Sequence, residues 1–416
     1  MSRLLLFVLL LVSATGDPLV AQASGDPDGV DVGAVLGEPR VAQAVGTLRE
    51  SRAAAADLLV RLGSIVSPSG EELERAQAVA EHMRAIGLDS VRVTQSPNAV
   101  GVIPGSKNRA LVFVSTLDDL ATVAEHQRNA AAPPRVEGDR VVGPGTNTSL
   151  TTAAMLTAAE SYLSSGLEPE HDLVFAAVAQ EETGLRGMRA LVDAYGDRAL
   201  AFVDVLGDGH TISYGALGIH WWQVFAEGPA GHTLGGGLPN VNQAIARAVD
   251  AILSLPAAAR TGERRTRLNV AMIQSGSVFN HKPESGWFSL DIRSMEAETI
   301  DAIEADIRRI LEGVEAETGI TLRMEPFQRT PGGRIPGARR SRLVRAAEAV
   351  ARHLGYAPTL SESGSSNMNV AVAADIPAIG LGGSRGGERG RPGEWADIGA
   401  LMRTAEHVLL LAAILG

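Results

Sequence analysis

The chain has 416 residues, more than an ordinary single domain holds and enough for two domains with substantial cores. Hydrophobic residues make up 45% and charged residues 20%, so disorder, collagen and coiled coil are excluded as descriptions of the whole chain. The formal net charge of −11 and the lack of any Lys/Arg-rich stripe disfavour nucleic acid and anionic membranes as partners. A small molecule or a peptide suits this composition better.

The N-terminus has the pattern of a signal peptide. Arg3 is followed by an apolar run at 4–12 and then by Ala21-Gln22-Ala23, a small-x-small cleavage site, which gives a signal peptide at 1–23. A membrane anchor is the alternative, but the run is about half of the roughly 20 residues that a span needs. The chain has no cysteine, so no lipid, disulfide or thiolate metal site can be built on one. We therefore expect export to a periplasm or beyond, and no membrane association after cleavage.

The segment after the signal peptide leads into an α/β pattern. Residues 24–40 are rich in Gly, Asp and Pro and are expected to be a flexible leader, with the fold starting near Val41. Ser69 and Glu72 have the spacing of a capping box, ahead of a helix that begins at Leu73 and stops at Gly87. Apolar runs at 110–115, 172–179 and 200–205 predict buried parallel strands, with helices at 149–165 and 183–195 between them. This alternation predicts an α/β sandwich.

The hydrophobic pattern changes at 218–327. There, strands with alternating apolar residues (221–226 and 278–292) surround amphipathic helices at 240–254 and 298–313. The α/β pattern resumes with a helix from Ser341, a helix-to-strand passage at 369–381 and a closing helix at 398–415. We therefore predict a large α/β domain, made of 41–217 and 328–416, with an α+β domain inserted at 218–327.

Polar clusters follow three of the predicted elements. Asp118 and Asp119 come directly after an apolar strand, Asn147 opens a helix, and Glu181 and Glu182 follow the next strand. In open α/β sheets, active sites collect beyond the carboxyl ends of the strands. Two adjacent glutamates at such an end can supply one metal ligand and one general base. Taken alone, however, the pair fits a helix start better than an active site, because acidic residues suit the positive end of a helix dipole.

Six motifs in order resemble the aminoacylase/carboxypeptidase/dipeptidase family of two-zinc exopeptidases, from about residue 43 to the C-terminus. They are Ser69-Gly70-Glu71, Leu117-Asp118, the run from Gln180 to Gly187, Gly228-Pro229-Ala230-Gly231-His232-Thr233, Asn280 with Asp291-Ile292-Arg293-Ser294, and the run from Ile376 to Gly382. The resemblance implies a three-layer zinc-exopeptidase-like sandwich with an inserted dimerisation, or lid, domain.

The resemblance also assigns roles. It makes Glu181 the general base, Glu182 a zinc ligand, and Asp118 the carboxylate that orients the first zinc-binding histidine. In the insert, His232 matches the residue that polarises the scissile carbonyl across a dimer interface, and Asn280 and Arg293 match substrate-binding positions. The alternatives are that His232 only hydrogen-bonds within a Gly-rich turn, and that Arg293 pairs with Asp291 or Glu296.

Three expected metal ligands are replaced. The first histidine position is Thr116, the bridging aspartate is Asn147, and the last histidine falls at Gly390, a few residues before Glu394-Trp395. Asp204 is the better match for the remaining aspartate and Asp208 the second. Only two carboxylate ligands of five then survive, and neutral asparagine cannot bridge two dications. We expect no two-zinc site, and at most one weakly bound hard cation held by Glu182, by Asp204 or Asp208, and by water.

Two further segments bear on the site. Without metal, Asp118, Glu181 and Glu182 repel one another, and the Arg-rich loop from Arg385 to Arg391 can supply the compensating cation, unless it is only a solvated surface segment. Residues 365–367 form a polar cluster, Ser-Ser-Asn, where the family has a loop bearing an aspartate.

These observations support two readings. The first is an exported pseudoenzyme that binds a peptide-like or N-acyl amino acid ligand with little or no zinc catalysis. The second is an active amide-bond hydrolase that uses Glu181 as base with a rearranged or single metal. A homodimer formed through the insert is an expectation of either reading, and a purely structural dimer ranks last.

Overall fold

The computed structural model of the protein describes residues 30–259 and 265–416. The expected signal peptide at 1–23 lies outside the described residues.

The elements are numbered in chain order. The helices are α1 (Val32–Leu36), α2 (Pro39–Glu50), α3 (Arg52–Gly63), α4 (Leu73–Ala85), α5 (Ala121–Asn129), α6 (Thr146–Ser164), α7 (Arg186–Tyr195), α8 (Val241–Leu253), α9 (Pro256–Ala259), α10 (Ala297–Thr318), α11 (Arg342–His353), α12 (Met368–Ala373) and α13 (Ile398–Leu415). The strands are β1 (Asp89–Val93), β2 (Ala99–Ile103), β3 (Lys107–Thr116), β4 (Arg135–Glu137), β5 (Arg140–Val142), β6 (His171–Val178), β7 (Ala199–Val205), β8 (Thr211–Ser213), β9 (Gly215–Ala216), β10 (Gly218–Glu227), β11 (Gly231–His232), β12 (Arg267–Asn269), β13 (Ile273–Ser275), β14 (His281–Lys282), β15 (Ser285–Ser294), β16 (Thr321–Thr330), β17 (Gly333–Arg334), β18 (Thr359–Ser361), β19 (Ala378–Gly382), β20 (Gly386–Gly387) and β21 (Trp395–Asp397).

An eight-stranded sheet forms the centre of the molecule, in the order β1-β2-β6-β3-β7-β19-β8-β18. Its four middle strands, β6, β3, β7 and β19, run parallel. Leu111 and Phe113 of β3 enter the apolar core on one face, and Val112 and Val114 enter the core on the other. Both faces are therefore covered, as is usual for a parallel sheet.

Helices make the outer two layers. Buried residues of α2, α3, α4, α6, α11 and α13 pack on one face of the sheet. Buried residues of α7 and α12 pack on the other face. This arrangement confirms the predicted three-layer α/β sandwich.

A second, antiparallel sheet is built from strands within residues 218–330, in the order β12-β15-β10-β16, with β13 also paired to β15. Its strands alternate buried and partly exposed residues, and the buried set packs against α8 and α10 in a separate core. The apolar residues of α8 lie in that core, so this helix is covered within its own chain.

The closing helix α13 has a mean hydropathy of 1.6 and is long enough to cross a membrane, but 72% of it is buried inside the protein. It packs against α6, α2 and α11 as a core helix of the large domain. Just after it, the backbone carbonyl of Gly416 accepts hydrogen bonds from the N–H groups of Glu170 and His171, both at 3.1 Å.

Two predictions near the N-terminus are wrong. The leader was expected to run to residue 40, yet α1 begins at Val32 and α2 at Pro39, because buried Val32 and Val41 dock on the large core. The capping box does not form either: Ser69 Oγ lies 2.6 Å from Thr183 Oγ1, and Glu72 bonds to loop N–H groups instead of capping α4.

Predicted boundaries also shift in the insert. The strand expected at 278–292 is divided into β14 and β15, because Pro283 falls between them and lacks an N–H for the ladder. The boundary expected at 327 cuts through β16, which pairs with β10 as far as Thr330.

A buried ion pair fixes the loop between β3 and α5. Arg75 of α4 lies 2.6 Å from Asp119, and the two side chains are 2% and 0% exposed. Arg75 also donates to the backbone carbonyls of Leu117, at 2.7 Å, and of Ile65. One guanidinium therefore joins helix α4 to the carboxyl end of the central strand.

Replacing Arg75 should destabilise the protein strongly. We expect Arg75→Met to lower the free energy of unfolding by about 3–5 kcal/mol, because it leaves the Asp119 carboxylate buried without its partner. Urea denaturation measures this. Arg128→Ala is the control, since it breaks an ion pair with Glu71 whose side chains are 53% and 69% exposed, and it should cost less than about 1 kcal/mol. Equal effects of the two changes would contradict this role of Arg75.

Candidate functional site

The carboxyl ends of β3 and β6 are joined through one buried carboxylate. Asp118, 1% exposed, accepts the backbone N–H of Glu181 at 2.9 Å through Oδ1 and that of Glu182 at 3.0 Å through Oδ2. Burial raises the pKa of Asp118, and the two N–H groups oppose that rise. The sequence motifs Leu117-Asp118 and Glu181-Glu182 therefore meet at one place, as predicted from their positions at strand ends.

The turn between β6 and the glutamates has unusual backbone geometry. Gln180 has φ +57°, in the left-handed region that non-glycine residues rarely adopt. Its N–H donates to Glu72 Oε1 at 3.0 Å, and the same oxygen accepts the N–H of Gly70 at 2.7 Å. The Ser69-Gly70-Glu71 motif thus leads into a carboxylate that holds the turn, and strain of this kind is typical of functional sites.

Glu181 is half-buried and carries the most perturbed carboxyl group of the site. Burial raises its pKa to about 8, with further increases from the nearby charges of Glu182, Asp118 and Asp204. Most Glu181 side chains are therefore protonated at neutral pH. A protonated carboxyl donates a hydrogen bond and does not act as a general base.

Two arginines from the loop after β19 stand beside these acids. Arg389 Nη2 lies 3.2 Å from Glu182 Oε1, and burial raises the pKa of Glu182 while Arg389 opposes that rise. Burial and the charge of Arg389 lower the pKa of Arg385 to about 10, although Glu181, Glu394 and Glu182 favour its charged form. The two guanidinium groups supply the cations of the cluster.

Asp204, at the end of β7, completes the acidic cluster. It is fully buried and accepts the backbone N–H of Met368 at 3.1 Å through Oδ2, whereas Oδ1 has no hydrogen-bond partner within the described part of the chain. Burial raises its pKa to about 6, and its charge acts on Glu181.

Asp208 is placed differently. Its Oδ1 accepts from His210 Nδ1 at 2.7 Å and from the N–H of Ser384 at 3.2 Å, and its Oδ2 lies 3.1 Å from Arg403 Nε of α13. Both oxygens are engaged in a structural network, so Asp204 is the residue that faces the acidic cluster.

The three positions at which the resemblance expects metal ligands that this chain lacks also contact other parts of the protein. Thr116 Oγ1 accepts from Asn367 Nδ2 at 3.1 Å, which links β3 to the polar segment at 365–367. The N–H of Asn147, in the first turn of α6, donates to Glu394 Oε1 at 3.0 Å, and the N–H of Gly390 donates to Glu394 Oε2 at 3.1 Å. Glu394 therefore binds the segments on which the lost bridging aspartate and last histidine are expected.

The donor set does not fit two zinc ions. At the five matched positions, Thr116, Asn147 and Gly390 offer a hydroxyl, an amide and no side chain, and only Glu182 and Asp204 offer carboxylates. Zinc sites need imidazole, thiolate or carboxylate ligands in sufficient number. Throughout 30–259 and 265–416, no three His, Asp or Glu side chains converge on a position that could hold a metal.

The insert carries a separate polar group at the surface. The N–H of Leu234 donates to His232 Nδ1 at 3.2 Å, and His232 Nε2 lies 3.0 Å from the Asn280 side-chain amide. The amide in turn contacts His281 Nδ1 at 2.9 Å. Asn280 Nδ2 faces His232, and Asn280 Oδ1 faces His281, so the amide bridges the two imidazole rings.

Arg293 lies on β15 and pairs with Asp291 through three hydrogen bonds of 2.9 to 3.2 Å. The bonds of His232, Asn280 and Arg293 that join described residues all stay within the insert. The structure therefore brings Asp118, Glu181, Glu182 and Asp204 together, and it keeps the three insert residues in two other groups.

Sequence reasoning missed the roles of Glu72, Asn367 and Glu394. The sequence did point to Glu394, because the Glu394-Trp395 pair was used to locate the expected histidine position at 390. No role was assigned to Glu394 itself. Glu72 and Asn367 bind partners more than a hundred residues away, at Gln180 and Thr116. The polar cluster at 365–367 was a sign that this segment bears on the site, but local patterns could not identify either partner.

Comparisons with known proteins agree with this fold. Residues 119–413 match the family described as "Peptidase family M20/M25/M40". The chain is 26% identical over 338 residues to a succinyl-diaminopimelate desuccinylase of Corynebacterium glutamicum, covering 78% of this chain and 87% of that protein. It is 27% identical over 326 residues to carboxypeptidase G2 of a Pseudomonas species, covering 74% of each.

A tripeptidase from Staphylococcus aureus has a similar structure, with a TM-score of 0.72, 20% identity, and coverage of 87% of this chain and 98% of that one. At this identity the likeness shows the fold alone. The family match spans well over half of the chain, from the acidic cluster to the closing helix. Together with the strand-end motifs that meet at Asp118, it shows that this chain belongs to peptidase family M20/M25/M40.

Proposed function

We propose that this protein is an exported member of its family that binds a peptide-like or N-acyl amino acid ligand without two-zinc hydrolysis. The observation that carries the proposal is the ion pair of Arg389 with Glu182, at 3.2 Å, beside the half-buried Arg385. Family members normally use divalent metals, whereas guanidinium groups serve as the cations here. The basic start, apolar run and small-x-small site at 1–23 support export.

The chemistry of Glu181 supports binding over hydrolysis. With a pKa of about 8, its carboxyl group is mostly protonated at neutral pH and can donate a hydrogen bond to an amide carbonyl. It cannot remove a proton from water in that state. An amide ligand is thus held at the strand ends by a donor, and its carboxylate suits the guanidinium of Arg385, which lies near Glu181 and Glu182.

An active hydrolase is the second candidate, and the retention of Glu181 at the strand end favours it. In this case Glu181 acts as base only after losing its proton, so hydrolysis rises as pH increases through about 8. Hydrolysis of N-acyl amino acids with that pH profile would replace the binding proposal.

The proposal includes a homodimer, because members of the family bind peptide substrates and often dimerise. Strand β16 lies at one edge of the second sheet and is ten residues long. A strand edge can pair with the same edge of a second copy across a two-fold axis. The apolar face of α8 adds nothing to this argument, because it is buried within the chain.

Zinc binding is the first test. After incubation with excess zinc and desalting, we expect well under two equivalents to remain by elemental analysis, because the donor set lacks two imidazoles and the bridging carboxylate. The matched variant Thr116→His/Asn147→Asp/Gly390→His should retain more zinc than the natural chain. Space allows the last change, since an added Cβ at 390 has only Thr122 Oγ1 within 4 Å, at 3.8 Å, although φ of +78° strains it. Two equivalents in the natural chain would contradict the proposal.

Ligand binding is the second test. In the presence of a chelator, calorimetric titration with N-acetyl amino acids and dipeptides should show binding, and the ligands should be recovered unhydrolysed. Arg385→Ala should weaken binding about tenfold, because it removes a charge-assisted hydrogen bond to the carboxylate of the ligand. Arg247→Ala is the control, since its ion pair with Glu317 lies on an exposed helix surface. Binding that is absent, or weakened equally by both changes, would overturn the assignment.

The pH dependence of stability is the third test. Glu181 binds its proton more tightly in the folded state than in the unfolded chain, so its contribution to stability is lost as pH rises toward about 8. The pKa of Asp204 is about 6, so the loss of its contribution to stability occurs mostly below pH 6. Between about pH 6 and 8, the melting temperature of Glu181→Gln should therefore fall less than that of the natural chain. Glu71→Gln, at a 69% exposed side chain, should behave like the natural chain. Parallel curves for all three proteins would contradict the raised pKa.

A further inference from the structure

The outer face of the second sheet, opposite α8 and α10, contains a cavity of about 470 Å³. Trp221 of β10, Trp287 of β15, Phe327 of β16 and Met272 line it. Sites for small molecules have volumes of about 300–1,000 Å³ and are mostly apolar. The cavity therefore has the size and the lining of a ligand site, and the proposed function does not use it.

The pleat of the sheet places these rings outside. Along β10 and β15 the buried residues, Trp222 and Phe288 among them, face the helices, so Trp221 and Trp287 face outward. On β16 a bulge opposes Trp221 with Gln328 and Trp222 with Pro326, leaving Phe327 as the extra residue. A bulge re-aims a side chain, and Phe327 is 73% exposed at the rim.

Several polar atoms around the cavity are bonded within the protein. The indole N–H of Trp221 donates to Asp291 Oδ1 at 3.0 Å, and Asp291 is also paired with Arg293. Ser289 Oγ accepts the N–H groups of Ala271 at 3.2 Å and Met272 at 3.0 Å. These bonds fix the orientation of Trp221 and of the wall segment, so the surface offered to a ligand is apolar and preorganised.

We propose that this cavity binds a planar aromatic ring of a small molecule, between Trp221, Trp287 and Phe327. Aromatic rings gain from stacked and edge-to-face contacts with one another beyond the area they bury. A protein partner fits less well, because a stable interface buries about 800 Å² per side and charged Arg323 and Glu325 lie near this apolar patch on β16.

The test is a titration with 2-naphthol, followed by intrinsic tryptophan fluorescence, with cyclohexanol as a comparator that lacks an aromatic face. We expect saturable quenching by 2-naphthol and no saturable signal from cyclohexanol. Phe327→Ala should weaken 2-naphthol binding about tenfold, since it removes one wall of the site. Phe279→Ala is the matched control: this phenylalanine is also exposed in the insert but does not line the cavity, and its loss should leave the affinity unchanged.

Several results would overturn the proposal. These are equal affinity in Phe327→Ala and the natural chain, equal weakening in both phenylalanine variants, or equal binding of cyclohexanol. Sedimentation of the same proteins tests whether a second copy of the chain covers this face instead. If the natural chain is a dimer that does not bind 2-naphthol, and Phe327→Ala dissociates it, this face is a contact between copies. Because Phe327 is exposed, its replacement should not impair folding, and circular dichroism verifies this for each variant.

Discussion

Crowded carboxylates are the constraint on which the site of this protein depends. Asp118, Glu181, Glu182 and Asp204 lie at the ends of adjacent parallel strands, where burial raises the pKa of each, and repulsion from neighbouring carboxylates adds to the rise for Glu181 and Glu182. Such a cluster persists only if protons or cations neutralise part of its charge. Here Glu181 takes up a proton, and the loop after β19 provides guanidinium groups. A guanidinium is a fixed cation with several directional donors, so it can hold carboxylates in place but offers no open coordination position to a substrate.

Backbone hydrogen bonds hold the shape of the site. Asp118 binds the N–H groups of Glu181 and Glu182, and Glu394 binds those of Asn147 and Gly390. These contacts depend on the main chain and are unaffected by the side chains at 147 and 390. The framework of the cleft therefore does not depend on which side chains occupy positions 147 and 390.

The sequence was a good guide wherever the information was local. Strand and helix periodicity placed β3, β6 and α6, and the rule that sites follow parallel strands brought Asp118 and Glu181 together. Prediction from the sequence failed where segments distant in the chain compete for the same polar side chain. Glu72 has the spacing of a helix cap, yet its carboxylate binds the N–H groups of Gly70 and Gln180. Val32 belongs to a Gly- and Pro-rich stretch that was expected to be flexible, yet it begins helix α1 because its side chain packs into the core of the large domain.

The position of β19 has a consequence for how the chain folds. This strand inserts between β7 and β8, although the whole second sheet separates it from them along the sequence. Contacts of such long range close slowly, and emerging chains fold their earlier segments first. During synthesis, β7 and β8 must wait for β19 with open edges, while every strand of the second sheet, within residues 218–330, has already been made. The arginines that balance the acidic cluster arrive directly after β19, so assembly of the sheet and neutralisation of its carboxylates are completed in the same late event.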